Sequence, residues 1–177
     1  MDFEKSRKTA LRELNESLDN ISQKESGEFL DRLLESRRVF VAGAGRSRLM
    51  LQSFAMRLRH LGMESYVVGE TVTPPIGKGD LLVAASGSGK TASVINTVKL
   101  AGRHKAGVGF ITAVTSPSLD KMVDLIVTIP GVSPSRQLMA SLFEQTLLLF
   151  CDSVCLALKD RLNIPESQLR KNHANLE

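Results

Sequence analysis

The chain has 177 residues, 42% of them apolar and 24% charged, with a net charge of +4 at neutral pH. These values fit one compact globular domain with an anionic small-molecule ligand, and so modest and scattered a positive charge argues against a nucleic-acid partner. Charges interrupt the apolar runs, so no membrane span or membrane partner is expected, and an N-terminus charged from its second residue does not read as a secretory signal.

Leu11, Leu14, Leu18 and Ile21 recur at helical spacing and predict an amphipathic helix over the first two dozen residues. A short second helix is expected at about 26–35. The apolar run Val39–Ala42 ends in the glycines of GAGRS, the pattern of a buried strand entering a tight turn. A helix rich in Leu, Met and Ala follows at 46–61, then a strand at 66–68 and another at 81–84 that ends in SGSG. A helix at 91–103, strands at 108–114 and 125–129, a long helix at about 135–159 and a polar tail complete the chain. Alternating strands and helices imply right-handed crossovers and a parallel sheet covered on both faces. Ligands bind such sheets beyond the carboxyl ends of the strands, near the reversal of strand order, which should bring GAGRS and SGSGKT together.

SGSGKT shares its ending with a nucleotide-binding P-loop. That loop needs Gly, four residues, then Gly-Lys-Ser/Thr. Gly89, Lys90 and Thr91 supply the second half, but the first glycine would fall at Ala84. A P-loop also needs an acidic residue at a neighbouring strand end. The ends AGAGR, ITAVTS and TIPGV carry none, and Asp80 and Asp124 stand at strand starts, the opposite edge. The alternative is a cradle for a phosphate monoester. Ser86, Ser88 and Thr91 can aim three hydroxyls at one anion, amides around Gly87 to Gly89 add donors, and a helix N-terminus favours negative charge. The plainer possibility is that this cluster only caps a helix. Cys151 and Cys155, four apart in an apolar stretch with no histidine beside them, read as buried free thiols rather than metal ligands.

The loop resembles the Ser-x-Ser-Gly-x-Thr phosphate loop of the sugar isomerase (SIS) domain family. Together, VAGAGRS, FAMRLRHLG, VVGETVTPPI, GDLLVAASGSGKT, SLFEQ and HANLE resemble the 6-phospho-3-hexuloisomerase family within that group, over about residues 39–177. The resemblance implies one SIS domain of the α/β class, a three-layer α-β-α sandwich around a five-stranded parallel sheet in flavodoxin-like order. N-terminal helices would occupy 1–37, the core 38–160 and a site-completing tail 161–177. It also implies cofactor-independent and metal-independent isomerisation of 3-hexulose 6-phosphate to fructose 6-phosphate, in the ribulose monophosphate route of formaldehyde fixation. A cytoplasmic homo-oligomer, a tetramer with sites at subunit interfaces, is the matching expectation. Four positions depart from the family pattern: Arg48, Lys90, Ala140 and Asn172.

Moving a carbonyl from C3 to C2 requires removal of the C2 proton and reprotonation of the resulting enediolate at C3. A desolvated carboxylate can shuttle that proton. Glu144, in the apolar segment that carries SLFEQ, is the candidate; on the residues alone a structural ion pair with Arg or Lys is the competing reading. His173 is the second candidate. A histidine so near a terminus is ordinarily a solvated tail residue, but the HANLE resemblance implies a proton shuttle for the sugar oxygens, delivered across a subunit interface. Ser47 resembles a position whose hydroxyl meets the sugar or phosphate, and Arg46 would steer the anion or stay solvated. Glu70 and Thr73 would face the sugar, or simply belong to a rigid turn fixed by two prolines. His60 and His104 read as partners of helix C-terminal dipoles, and Arg57, Arg59 and His60 as a solvated face. Rival readings are an isomerase of another phosphosugar and a non-catalytic sugar-phosphate-binding module.

Overall fold

The computed structural model describes residues 2–131 and 134–176; Val132 of the TIPGV strand end and Glu177 of HANLE lie outside them. Helices α1 (Phe3–Asp19) and α2 (Gln23–Glu35) precede the alternating region. Each is capped by a side chain: Asp2 accepts from the Lys5 amide at 2.8 Å and Ser22 from the Glu25 amide at 3.3 Å. Then come β1 (Val39–Ala42), α3 (Gly45–His60), β2 (Ser65–Val67), β3 (Leu81–Ala85), α4 (Ala92–Arg103), β4 (Gly107–Thr112), α5 (Pro117–Asp120), β5 (Leu125–Thr128), α6 (Ser141–Arg161) and α7 (Glu166–Lys171).

The five strands pair in parallel in the order β2-β1-β3-β4-β5. Successive strand residues face opposite sides. Val39 and Val41 join Phe29, Leu51, Phe54 and Leu147 from α2, α3 and α6 in one buried layer. Phe40 and Ala42 join Val94 and Val98 of α4 and Leu119 of α5 in the other. The result is the expected α/β sandwich, with strand order reversing between β1 and β3.

Several boundaries differ from expectation. Helix α6 starts at Ser141, six residues after the expected start at 135. The polar tail contains α7, and the short α5 was not anticipated. In α1, Leu11 is 48% exposed while Glu13 and Ser17 are fully buried, so the helix does not turn a simple leucine stripe inward. Charges do not break every long apolar run either: α6 is long and apolar enough to cross a bilayer, with a mean hydropathy of 1.5. Half of that stretch is buried, and Leu147, Phe150, Cys151 and Val154 pack into the core. Both cysteines are free and buried. Burial raises both thiols, Cys155 to about 12, which leaves neither nucleophilic at neutral pH.

The amino edge of the sheet is pinned by one carboxylate. Asp80 is fully buried and accepts from Arg38 Nη2 at 2.7 Å, from Arg37 Nη2 at 3.1 Å and from the Gly77 amide at 2.9 Å. Asp124 accepts from the Val108 amide at 2.7 Å. Burial alone would raise the Asp80 carboxyl, but Arg38, the Gly77 amide and Arg37 outweigh it and hold it below its ordinary value. A depressed folded-state value contributes stability that is present above the unfolded-state value and lost as pH falls through the folded one. Asp80→Asn should therefore cost about 3 kcal/mol at neutral pH. In denaturant titrations from pH 7 to pH 3, the gap between variant and parent should shrink below about pH 4.

Candidate active site

Two turns meet at the carboxyl edge where strand order reverses. The first, Gly43 to Gly45, joins β1 to α3. A Cβ on Gly43 would sit 2.9 Å from the Arg48 amide nitrogen, so only glycine lets the first turn of α3 pack back on the strand end. That packing buries Ser47. The second turn, Ser86 to Lys90, joins β3 to α4. Gly89 has φ +64°, and a Cβ there would lie 2.9 Å from the Val114 carbonyl oxygen. Ser86 is buried at the centre of the turn, its Oγ 2.9 Å from Thr91 Oγ1 and 3.4 Å from Ser88 Oγ. Thr91 occupies the N-cap position of α4, yet its hydroxyl makes no capping bond. The hydroxyls converge on one another at the N-terminus of α4, a place where helix geometry favours an anion. One of the expected amide donors, that of Gly89, is already engaged with the Ser86 carbonyl at 3.0 Å, and the Lys90 amide beside it donates to Ser88 Oγ at 3.3 Å. The Lys90 side chain lies at an exposed position.

Because α6 starts late, Glu144 stands in its first turn, at this same edge rather than midway along a buried helix. Its side chain is 12% exposed and meets Arg46 Nε at 3.0 Å; Arg46 Nη1 donates to Ser141 Oγ at 3.0 Å. The ion-pair reading of Glu144 is thus realised, but inside the site. Ser47, Ser86, Gly87, Ser88, Thr91 and Glu144 line one cavity of about 440 Å³; Arg46 does not line it and reaches it only through its ion pair with Glu144. Phe143, which the sequence did not mark, closes the contact between α6 and the loop: a Cβ on Gly87 would lie 3.1 Å from its ring. Thr112 was also missed; its hydroxyl donates to the Val114 carbonyl at 3.1 Å beside Gly89.

Other expected positions lie elsewhere. Glu70 meets Arg48 Nη2 at 3.2 Å and Thr73 donates to the Val67 carbonyl at 2.6 Å, so both serve the turn after β2. Arg48 reaches that turn too, donating to the Val68 carbonyl at 2.9 Å. His60 is buried rather than part of a solvated face. Burial lowers its imidazole, with His173 and Arg57 adding to the effect, which makes it a poor cationic partner for a helix dipole. His104 stands at the C-cap of α4, where its backbone amide, rather than its imidazole, donates to the last carbonyls. His173 follows α7 and stacks on His60, ring centroids 4.9 Å apart, beside a second cavity of about 800 Å³ at the far end of α3. At 1.5 Å per residue, His60 and Ser47 stand roughly 20 Å apart along that helix. One protomer does not bring His173 to Glu144.

A SIS domain model matches residues 32–151. A 3-hexulose-6-phosphate isomerase of Bacillus subtilis is 44% identical over 94% of this chain and 95% of its own length. This chain belongs to the SIS domain family, alongside the 3-hexulose-6-phosphate isomerases. One from Mycobacterium gastri is 41% identical over 82% of this chain and 76% of its own. Among solved structures, a Methanococcus jannaschii protein superimposes with a TM-score of 0.89 at 32% identity, covering 98% of this chain and 99% of that one; its structure is described as inferring a molecular function of 3-hexulose-6-phosphate isomerase. The protein is an SIS-family isomerase.

The turn geometry yields a direct check. Gly89→Ala forces a left-handed residue against a backbone oxygen and should cost about 1–3 kcal/mol. Thermal melts should show a lower Tm than the parent, and added inorganic phosphate should no longer raise it.

Proposed function

We propose that this protein converts 3-hexulose 6-phosphate to fructose 6-phosphate through an enediolate, with no cofactor or metal, as a step of the ribulose monophosphate route. The observation that carries the reading is the meeting of the Ser86, Ser88 and Thr91 hydroxyls with Glu144 in one cavity. The hydroxyls and the α4 N-terminus hold the phosphate, and Ser47 adds a donor from the opposite turn. Anchoring one end converts the search for the reacting carbon into a local fit. Glu144 takes the C2 proton, the electron pair enters the C2–C3 bond as the C3 oxygen gains charge, and the same carboxylate returns a proton at C3. Arg46 orients Glu144 and places positive charge beside the developing enediolate.

His173 serves the sugar oxygens from a second copy of the chain. Support for assembly comes from an apolar strip shared by neighbouring helices. Leu49 and Met56 lie seven residues apart on α3, Leu149 and Leu156 seven apart on α6, and all four are exposed. We take the assembly to be a tetramer acting in the cytoplasm on phosphorylated sugar.

Glu144→Gln and His173→Asn should each lower kcat by about 10²–10⁴, while the parent keeps full activity in EDTA. Refolding the two variants together should restore measurable turnover, since hybrids then contain intact composite sites. Full activity in Glu144→Gln, loss of parental activity to EDTA, or no recovery on mixing would each contradict part of the reading.

A further inference from the structure

Helix α1 lies ahead of the residues matched by the SIS domain model and is exposed along much of its length. Its most buried positions are Glu13 and Ser17. A carboxylate taken out of water is costly unless its lone pairs are filled. Those of Glu13 are filled from the connection between β5 and α6: Ser135 Oγ donates to Oε2 at 2.8 Å and the Arg136 amide to Oε1 at 3.0 Å. The Arg136 amide is the main influence holding the Glu13 carboxyl below its ordinary value, against the opposing effect of burial. Ser17 Oγ donates to the Pro130 carbonyl at 2.7 Å, and Glu25 of α2 accepts from the Thr128 amide at 2.7 Å. The N-terminal helices thus grip the chain on leaving β5 and again before α6.

What they grip walls the cavity. Pro130, Ser135, Met139 and Ala140 line it together with the phosphate loop. Met139 has φ +52°, a left-handed backbone that a non-glycine residue adopts rarely, and its side chain is exposed.

We propose that Glu13 is a positioning residue that fixes the 134–140 wall of the cavity and so sets the fit of the sugar chain, leaving the phosphate grip to the β3–α4 turn. The inference rests on the cavity holding a phosphorylated sugar. An ionised carboxylate suits the task because charge-assisted hydrogen bonds are shorter and stronger than neutral ones. Binding of the sugar portion depends on the wall, whereas an isolated phosphate touches only the turn.

The test compares KM for 3-hexulose 6-phosphate with the inhibition constant of inorganic phosphate in folded Glu13→Ala. KM should rise about tenfold or more with kcat and the phosphate constant within about threefold. Glu13→Gln, which keeps an acceptor for the Arg136 amide, should recover most of the loss. Ser135→Ala should give a smaller KM rise that is not additive with Glu13→Ala. An unchanged KM, a parallel rise in KM and the phosphate constant, or full additivity would overturn the proposal. Should Glu13→Ala not fold, Ser135→Ala, which removes one of the two donors to Glu13 and leaves the helix intact, decides by the same ratio. A parent protein that neither turns over the sugar phosphate nor is inhibited by phosphate would instead overturn the functional reading beneath it.

Discussion

The ion pair between Arg46 and Glu144 joins the first turns of α3 and α6, and the candidate site exists only because those two turns meet. Helix α3 leaves the sheet at β1 and α6 arrives after β5, which lies at the edge of the sheet. The pair spans the intervening strand ends and sets the carboxylate opposite the serine turn. The N-terminus of α6 favours negative charge at Glu144, while Arg46, 55% exposed, remains solvated enough for its attraction to be screened. The pair therefore orients the carboxylate without locking it away from a ligand. Phe143, which precedes Glu144 in the chain, packs against Gly87 and keeps the β3–α4 turn and the α6 terminus in register.

Much of this was legible in the sequence because the relevant signals are local. Buried parallel strands read as unbroken apolar runs, so β1 and β3 were placed within a residue, and the glycines after them marked turns that topology brings to one edge. The start of α6 was not legible. Residues 135–139 contain neither Pro nor Gly and suit a helix, yet Glu13 and Ser17, more than a hundred residues earlier, hold this connection in another shape. Tertiary contacts override propensity there. Glu13 escaped notice for the same reason: a glutamate among exposed charges on a helix looks solvated until its distant partners are known. Helix α7, six residues with Leu169 as their one apolar side chain, has no apolar periodicity to read.

His173 marks the other limit. Its role was inferred from resemblance, and a single protomer places it at the opposite end of α3, against His60. That position is coherent on its own terms. Asn172 Nδ2 donates to the His60 carbonyl at 3.0 Å, so the tail is fixed where α3 ends rather than trailing free. On the proposed reading the grip and the base belong to one copy and the oxygen shuttle to another, with the apolar strip on α3 and α6 bringing them together.

The central claim is that Glu144 moves a carbon-bound hydrogen as a proton. Fructose 6-phosphate incubated with the protein in D2O and then recovered tests it most directly. The account predicts deuterium at C3, acquired at a rate that collapses in Glu144→Gln. Unchanged labelling or unchanged interconversion of the two ketoses in Glu144→Gln would contradict it.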